Sequence, residues 1–481
     1  MIKLKRLLEG IVEDKALEFI SDLVKKSPYK GKVYLAGGAV RDELMGLDLK
    51  DIDLTIEAQD GGILFATWVC KHLNIYKPNA NPVIYPKYGT AKFNLRGITY
   101  KGYDLSNIDI ECVMTRKEIY TPDSRKPEVT HGTIQQDVNR RDLTVNSLLK
   151  DLTTGEILDL TGMGIKDIKN GLVRTPIEPD EIFKDDPLRM LRAIRFTVKY
   201  NWKLPYFMIK AMKDNAYRLE IISKERIRDE LDKMLKTMNP DTAIRLLQLT
   251  GLSKYIFPEL DTLIKLKQNK YHKYDAMKHT LFVLKNIQPD IQHRLAALFH
   301  DIGKATTKDV IDNEIHFYEH EEVSAQMTKD IMTRLKYPNN IIEPVAFAIK
   351  NHMRTKQFGK EAELVKDKTL RKLQQDLGDH LDLTLNLIHA DNISHSDSAN
   401  MPNQIPIIKS KIDVLKSKVD VTKVKLPVSG DDIMKLTGLK PGRDVGNILD
   451  YIKDLWLDNP EINKHEAEQL VIKYAKEHKL M

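Results

Sequence analysis

One stretch, residues 35–57, reads LAGGAVRDELMGLDLKDIDLTIE and constrains the chain more than any other. Val33-Tyr34-Leu35-Ala36 is a short apolar run of strand type, and Gly37-Gly38 then lets the backbone turn tightly and approach a ligand. Ala39 to Met45 predicts a helix, with Gly46 where a helix end favours glycine. A glycine turn feeding a helix start offers N–H groups to an anion, and Arg41 in the first turn adds charge. Asp51-Ile52-Asp53 follows, and on a strand of period two its carboxylates share a face. Like charges held together are costly unless a cation lies between them, and Mg2+ takes carboxylates together with substrate phosphates. The segment therefore predicts a phosphate cradle from Gly37, Gly38 and Arg41 and a metal pair from Asp51 and Asp53.

The order GG-x-V-R-D followed by a DxD inside apolar strand residues resembles motif A of the nucleotidyltransferase superfamily. It is similar to the class II branch that holds tRNA CCA-adding enzymes and bacterial poly(A) polymerases. Asn139 to Asn146 (NRRDLTVN) is similar to the family's motif B, with Leu143 where phenylalanine is usual. There Arg141 offers a planar fork to phosphate or sugar oxygens, and Asp142 an acceptor for a ribose hydroxyl. Residues 158–174 resemble the connecting motif, with Met163 separating Gly162 from Gly164. Residues 183–196 (FKDDPLRMLRAIRF) predict a strong helix with a basic stripe of Arg189, Arg192 and Arg195. Asp185, Asp186 and Arg189 resemble the family's EDxxR element, which serves as an amino-acid template for the incoming base; Asp185 stands where glutamate is usual. A carboxylate accepts from an exocyclic amino group, which cytosine and adenine carry where uracil and guanine carry oxygen. Residues 223–231 resemble an E-R-I-x-x-E-L element, with Glu225, Arg226 and Glu230 expected to brace the template helix through ion pairs.

Between these motifs, residues 2–27 have helical periodicity (Leu4, Leu7, Leu8, Ile11, Leu17, Ile20, Leu23). Ile63 to Leu73 predicts a helix, and Ile84 to Tyr88 and Gly89 to Leu95 predict strands. Residues 107–113 predict another strand, with Asp109 and Glu111 on one face; either is a candidate third carboxylate beside the DxD. Residues 116–137 are polar with two prolines and predict a loop near the site.

A second constellation runs from His279 through His300-Asp301, His320 and His352 to Asp391. It resembles the HD-domain phosphohydrolases, which assigns His279, His300, Asp301 and Asp391 as metal ligands. Mixed imidazole and carboxylate ligands suit Mn, Ni, Co, Fe or Mg, with water as nucleophile. His320 and His352 are candidates for a second metal or for phosphate. Residues 401–425 are punctuated by lysines, among them Lys409, Lys411, Lys416, Lys418, Lys423 and Lys425, either a solvated helix face or a surface toward RNA. The turn Lys440-Pro441-Gly442-Arg443 precedes an amphipathic helix resembling the tail of HD-bearing CCA-adding enzymes.

At 481 residues the chain exceeds one core. The resemblance implies an α+β protein: a polymerase-β-like head of mixed sheet and helices, then an all-helical body, HD domain and tail. The expected divisions are a catalytic head at 1–150, a neck and body at 151–255, an HD domain at 256–400 and a tRNA-binding tail at 401–481. A net charge of +7 suits a polyanionic partner, and no run approaches the roughly 20 apolar residues of a membrane span. Two cysteines inside apolar stretches, and an N-terminus without signal-peptide character, predict a reduced cytoplasmic protein. The implied activity is template-independent addition or repair of the tRNA 3′-CCA from CTP and ATP, with Mg2+ at Asp51 and Asp53. Gly37, Gly38 and Arg41 are assigned to the triphosphate, Arg141 and Asp142 to the sugar, and Asp185, Asp186, Arg189 and Arg192 to the nucleotide. A poly(A) polymerase or a partial CC- or A-adding enzyme shares these motifs, but the short Arg-rich signature that often follows the DxD strand in the former is absent. An HD phosphohydrolase with a non-catalytic RNA-binding N-terminal half is the alternative from another class.

Overall fold

Apolar residues at alternate positions build the first half of the molecule around one sheet. The computed structural model describes residues 2–77, 79–119, 128–269 and 271–481, the side chains of 2–9 excepted. The side chains of Leu4, Leu7 and Leu8 thus lie outside what is described. Two compact units make up the chain, Met1–Pro258 and Glu259–Met481.

In the first unit, α1 (Ile2–Lys25), β1 (Val33–Ala36), α2 (Gly38–Leu44), β2 (Ile52–Ile56), α3 (Gly61–His72), β3 (Val83–Tyr85) and β4 (Thr90–Asn94) follow in order. Then come the short pair β5 (Thr99–Tyr100) and β6 (Tyr103–Asp104), β7 (Asp109–Met114), the hairpin β8 (Arg116–Ile119) and β9 (Glu128–His131), α4 (Ile134–Asn139), β10 (Leu149–Asp151) and β11 (Ile157–Leu158). Seven strands form a mixed sheet in the order β11-β10-β1-β2-β7-β4-β3, parallel only at β2–β7. Ile52, Leu54, Ile56, Ile110, Cys112, Ala91 and Phe93 bury one face with Ile20 and Val24 of α1 and Phe65, Ala66 and Val69 of α3. Cys70 and Cys112 are free thiols in this core. Asp53, Thr55, Glu111, Val113 and Lys92 occupy the opposite face.

Some boundaries differ from the sequence reading. Pro86 has no N–H for a ladder, so the strand expected at 84–88 is Val83–Tyr85 followed by a 3-10 turn, Pro86–Tyr88. The loop expected at 116–137 is in part ordered structure: Arg116–Ile119 pairs antiparallel with Glu128–His131, and Thr133 caps α4 through a capping box. Residues 120–127 of that loop lie outside the described residues.

Helices complete the unit: α5 (Gly164–Asn170), α6 (Pro179–Asp185), α7 (Leu188–Tyr200), α8 (Tyr206–Asn215), α9 (Lys224–Leu235), α10 (Pro240–Leu249) and α11 (Ser253–Ile256), with α12 (Pro258–Asp261) at the boundary. The single helix expected over 183–196 is broken. Asp186 is extended (φ −136°, ψ 101°), because a residue before proline is driven from the helical region, so α6 ends at Asp185 and α7 begins after Pro187.

The second unit holds α13 (Ala276–Asn286), α14 (Ile291–Phe299), the hairpin β12 (Lys308–Ile311) and β13 (Glu314–Phe317), α15 (His320–Arg334), α16 (Asn339–Lys350), α17 (Asp367–Leu377), α18 (Leu381–Asn392), α19 (Gln404–Lys418), α20 (Gly430–Thr437), α21 (Arg443–Asp458) and α22 (Lys464–Glu477). The hairpin is an exception to the all-helical expectation. Ile405, Ile408, Ile412 and Leu415 of α19 pack with Leu370, Leu373 and Leu377 of α17. Lys409 is paired with Asp382 at 2.7 Å, and Lys411 donates to the carbonyls of Glu363 and Val365, so these two lysines bind the fold itself. Val445, Ile448, Ile452 and Trp456 form the buried stripe of α21.

Candidate functional site

At the end of β1 the chain turns through Gly37, whose φ of 68° is a left-handed conformation costly for residues with a Cβ. A Cβ there would also sit 3.3 Å from Arg141 Nη1. Its N–H donates to Leu148 O at 3.1 Å, so the glycine turn is closed by the sheet. Arg41 is only 5% exposed. Its Nη1 donates to Asn146 Oδ1 at 2.5 Å, and its guanidinium lies 5.0 and 5.4 Å from the rings of Phe196 and Tyr200.

A cavity of about 530 Å³ opens on this face of the sheet, lined by Gly37, Gly38, Arg41, Asp53, Glu111, Arg116, Arg140, Arg141, Asp142, Asp186, Arg189, Arg192 and Arg226, among others. Seven of its lining residues are arginines and four are carboxylates. Asp53 and Glu111 are register partners on adjacent parallel strands. Burial, then Glu111 and Asp51, push the Asp53 carboxyl up to about 6. Such a gathering of negative charge is the donor set a divalent cation needs. Asp109, the other candidate for the third carboxylate, is turned to Lys92 (2.8 Å) and Asn94 (3.0 Å), which hold it below the usual carboxylate range. Asp51 precedes β2, is exposed, and does not line the cavity.

Arg141 is fixed by Asp137 (2.9 Å), Thr55 Oγ1 (3.3 Å) and Asn146 O (3.2 Å). Asp142 accepts from Arg192 Nε at 2.7 Å, Asn146 Nδ2 at 3.1 Å and Leu143 N at 2.8 Å. Burial would raise that carboxyl, but Arg192 and Asn146 outweigh it and hold it low. Asp186 Oδ1 accepts from Leu188 N at 3.1 Å and its Oδ2 from Arg226 at 3.1 Å. Arg189 donates to Ile182 O at 3.3 Å. Asp185 is half-buried outside the cavity wall, so the break before Pro187 separates it from Asp186 and Arg189. The bracing expected of α9 takes the form of Glu230 on Arg195 (2.6 Å) and Arg226 on Asp186. The sequence reading did not single out Arg116, Arg140, Asp137 or Glu118. Glu118 is nearly buried and faces Arg116 (2.9 Å), Arg140 (3.0 Å) and Arg189 (3.9 Å). Its signal was a lone acid between strand residues at the edge of a polar loop.

The second unit gathers six buried side chains in two groups, His279–His300–Asp391 and Asp301–His320–His352, whose ligand atoms within each group lie within 4.8 Å of one another. Asp301 joins them: Oδ2 is 3.3 Å from both His279 Nε2 and His300 Nε2, while Oδ1 is 3.4 Å from His320 Nε2 and 3.9 Å from His352 Nε2. Gly303 lets α15 start close by, since a Cβ there would meet His320 O and Ser324 N at 2.8 Å.

Proton positions follow from the partners. A carbonyl only accepts, so His300 Nδ1 donates to Ala297 O (3.0 Å), His320 Nδ1 to Phe317 O (2.8 Å) and His352 Nδ1 to Ile349 O (2.6 Å). Ser394 Oγ donates to Asp391 O (2.6 Å), which leaves it to accept from His279 Nδ1 (2.8 Å). With Nδ1 so engaged, each ring turns its Nε2 toward Asp301 or Asp391, the orientation outer-sphere hydrogen bonds impose on metal ligands. His320 Nε2 is buried without a hydrogen bond. Burial and the neighbouring His320 and His300 push His352 down to about 3, keeping it neutral. These residues fit divalent cations. Lys304 (2.7 Å from Asp301 Oδ2), Lys356 (2.8 Å from Asp391 Oδ2), His272 and His395 also line the adjoining cavity of about 480 Å³ and were not anticipated.

No helix among the described residues is long and apolar enough to cross a membrane. Residues 33–174 match the Poly A polymerase head domain, 208–264 the probable RNA and SrmB-binding site of polymerase A, and 274–384 the HD domain. A tRNA nucleotidyltransferase of Schizosaccharomyces pombe is 35% identical over 238 residues, 48% of either chain. The chain spans about half the length of the first curated relatives it matches. A multifunctional CCA protein of Haemophilus influenzae is 31% identical over 351 residues, 69% of this chain and 78% of the relative. The fold is that of the Bacillus stearothermophilus CCA-adding enzyme, solved in complex with CTP, with a TM-score of 0.66 at 21% identity over 97% of this chain and 98% of the other. Both the nucleotidyltransferase and the HD families depend on divalent metals. With the head, the RNA-binding segment and the HD domain in this order, the chain belongs to the family of class II tRNA nucleotidyltransferases and bacterial poly(A) polymerases that carry a C-terminal HD domain.

Proposed function

We propose that the chain adds or repairs the 3′-terminal CCA of tRNA, using CTP and ATP without a nucleic-acid template. One observation carries this reading: seven guanidiniums surround the carboxylates of one cavity, a charge arrangement suited to a nucleoside triphosphate with its divalent cation. Asp51, Asp53 and Glu111 would hold Mg2+, which when bound supplies activation of the RNA 3′-hydroxyl and neutralisation of the leaving pyrophosphate. Arg41 and Arg141, each fixed by hydrogen bonds, bind the triphosphate. The Asp142–Arg192 pair forms the wall against which the sugar is oriented. Asp186 accepts the exocyclic amino group of cytosine or adenine while Arg189 donates to ring acceptors; uracil or guanine would leave the carboxylate unpaired. Asp185, outside the wall, contributes charge rather than contact.

The second unit supports a metal-dependent phosphohydrolase. His279, His300 and Asp391 would hold one cation, His320 and His352 another, with Asp301 between them. The nitrogen-rich set favours Mn, Ni or Co over Mg. On this reading residues 1–150 are the catalytic head, 151–255 neck and body, 256–400 the HD domain and 401–481 a tRNA-binding tail, all working in the cytoplasm.

The test is incubation with Mg2+, labelled CTP or ATP, and tRNA ending before CCA, at CC, or in full. Ordered C, C, A addition that then stops is expected. Long A tracts on any RNA would make the chain a poly(A) polymerase. No incorporation, with phosphate released from RNA ends, would move the chemistry to the HD unit.

A further inference from the structure

The face of the sheet that carries Asp53 continues past the cavity. Asp53 lies opposite Glu111, Glu111 opposite Lys92, and Lys92 opposite Val83. One step along, Thr55, Val113, Thr90 and Tyr85 make a parallel row. Directly opposed residues share a face, so this surface runs unbroken to the edge strand β3. At about 4.8 Å per strand, Val83 stands about 14 Å from Asp53.

That edge is unusually apolar and aromatic. Tyr85 is 50% exposed, and Tyr88 in the adjoining turn is 45% exposed. Lys87 lies 5.8 Å from the Tyr88 ring. Beyond the start of β3 is a polar concavity of about 260 Å³, lined by Lys77, Asn81, Asn94 and Arg96 among others. It is built: Asn81 Nδ2 donates to Asn94 O at 3.2 Å and its Oδ1 accepts from Asn94 N at 3.1 Å.

We propose that this edge, with Tyr85 and Tyr88 as its base platform and Lys77 and Arg96 as its phosphate grip, docks the single-stranded 3′ segment of the RNA whose terminal hydroxyl enters the cavity. The inference rests on the nucleotidyltransferase reading. Exposed aromatics flanked by cations hold single strands without regard to sequence, because every base has a π-face and every linkage a phosphate. Continuity with the Asp53 row gives the strand a direct course to the reaction centre. A protein partner adding a strand is disfavoured: β3 has three residues and is followed by Pro86, which donates no hydrogen bond.

The experiment uses the full chain and a tRNA transcript lacking CCA. Tyr85→Ala is expected to raise the KM for RNA roughly tenfold, the size of one lost stacking contact. The KM for CTP and the melting temperature stay at wild-type values, and Tyr85→Phe, which keeps the ring, restores RNA binding. Lys77→Ala combined with Arg96→Ala raises the KM for RNA and flattens its salt dependence. A photoreactive uridine in the unpaired 3′ segment crosslinks to the peptide carrying Tyr85. An unchanged KM for RNA in Tyr85→Ala, with the wild type active, overturns the proposal and sends the strand elsewhere. If the wild type transfers no nucleotide, the reading of the cavity fails by itself. The edge is then judged by binding: equal affinity of wild type and Tyr85→Ala for a short oligoribonucleotide overturns it too.

Discussion

Arg192 closes on Asp142 from 50 residues away, with Nε at 2.7 Å and Nη2 at 2.6 Å from the same Oδ2. The pair ties α7 to motif B. Asp142 is buried while the Arg192 side chain is 37% exposed, so Arg192→Ala leaves the carboxylate short of a partner that water replaces only in part, and is expected to cost about 1–2 kcal/mol of stability. The Asp142 carboxyl is depressed, so its stabilising share is complete above about pH 4, the unfolded value. It is lost as pH falls through the lower folded value. Melting temperatures between pH 2 and 7 check both statements: Arg192→Ala should flatten the acid limb, and an unchanged limb would refute the assignment.

Asp53 runs the other way. Its carboxyl is raised to about 6, so in metal-free protein stability falls as pH rises from the unfolded value toward 6 and stays reduced above it. Asp53→Asn removes this penalty and should stabilise metal-free protein at pH 8 by up to about 3 kcal/mol while abolishing nucleotide incorporation. Calorimetry in chelator gives the first number and a primer-extension assay the second; a destabilised variant would show that the cluster is not strained.

Asp186→Asn exchanges an acceptor oxygen for a donor at the position proposed to read the base. The preference for CTP over UTP should fall by roughly 100-fold or more, because discrimination here depends on an unmatched buried group. Competition between the two nucleotides on one primer measures the ratio. Asp185→Asn should change it far less, and equal effects would return Asp185 to the wall.

In the HD unit, His320→Ala should remove one cation and leave the other, read as metal content of protein purified in Mn2+ or Ni2+ and dialysed. Ser394→Ala frees His279 Nδ1 and should weaken binding 10- to 100-fold, the usual range for an outer-sphere partner. CCA addition should be unaltered in both variants.

Much of this was legible before the structure. Motif A and the first-strand-to-helix turn are short contiguous stretches, and the HD ligands are histidines and aspartates in order along the chain, because local backbone geometry and metal chemistry leave little choice of residue type. The difference between Asp109 and Glu111 was not legible: period two puts both on one face, and only the structure shows Asp109 paired with Lys92, brought alongside by β4, while Glu111 lines the cavity. Glu118, Arg116 and Arg140 were hidden for a related reason. Their segment is polar, and the Glu118 carboxylate that Arg116 and Arg140 share reaches Arg140 across 22 residues and Arg189 across a still longer stretch. Lys409 and Lys411 read as a solvated face because acceptors such as Asp382 and the Glu363 carbonyl have no sequence signature.

Three of the four HD histidines are fixed by the carbonyl three residues earlier: Ala297 for His300, Phe317 for His320, Ile349 for His352. Ring direction is thus written in the main chain, and the identity of the residue supplying each carbonyl is chemically silent. Relatives are free to replace Ala297, Phe317 or Ile349 by any residue that keeps the turn without disturbing the centre. A one-residue insertion between carbonyl and ring, by contrast, would swing the imidazole away and end metal binding at a stroke.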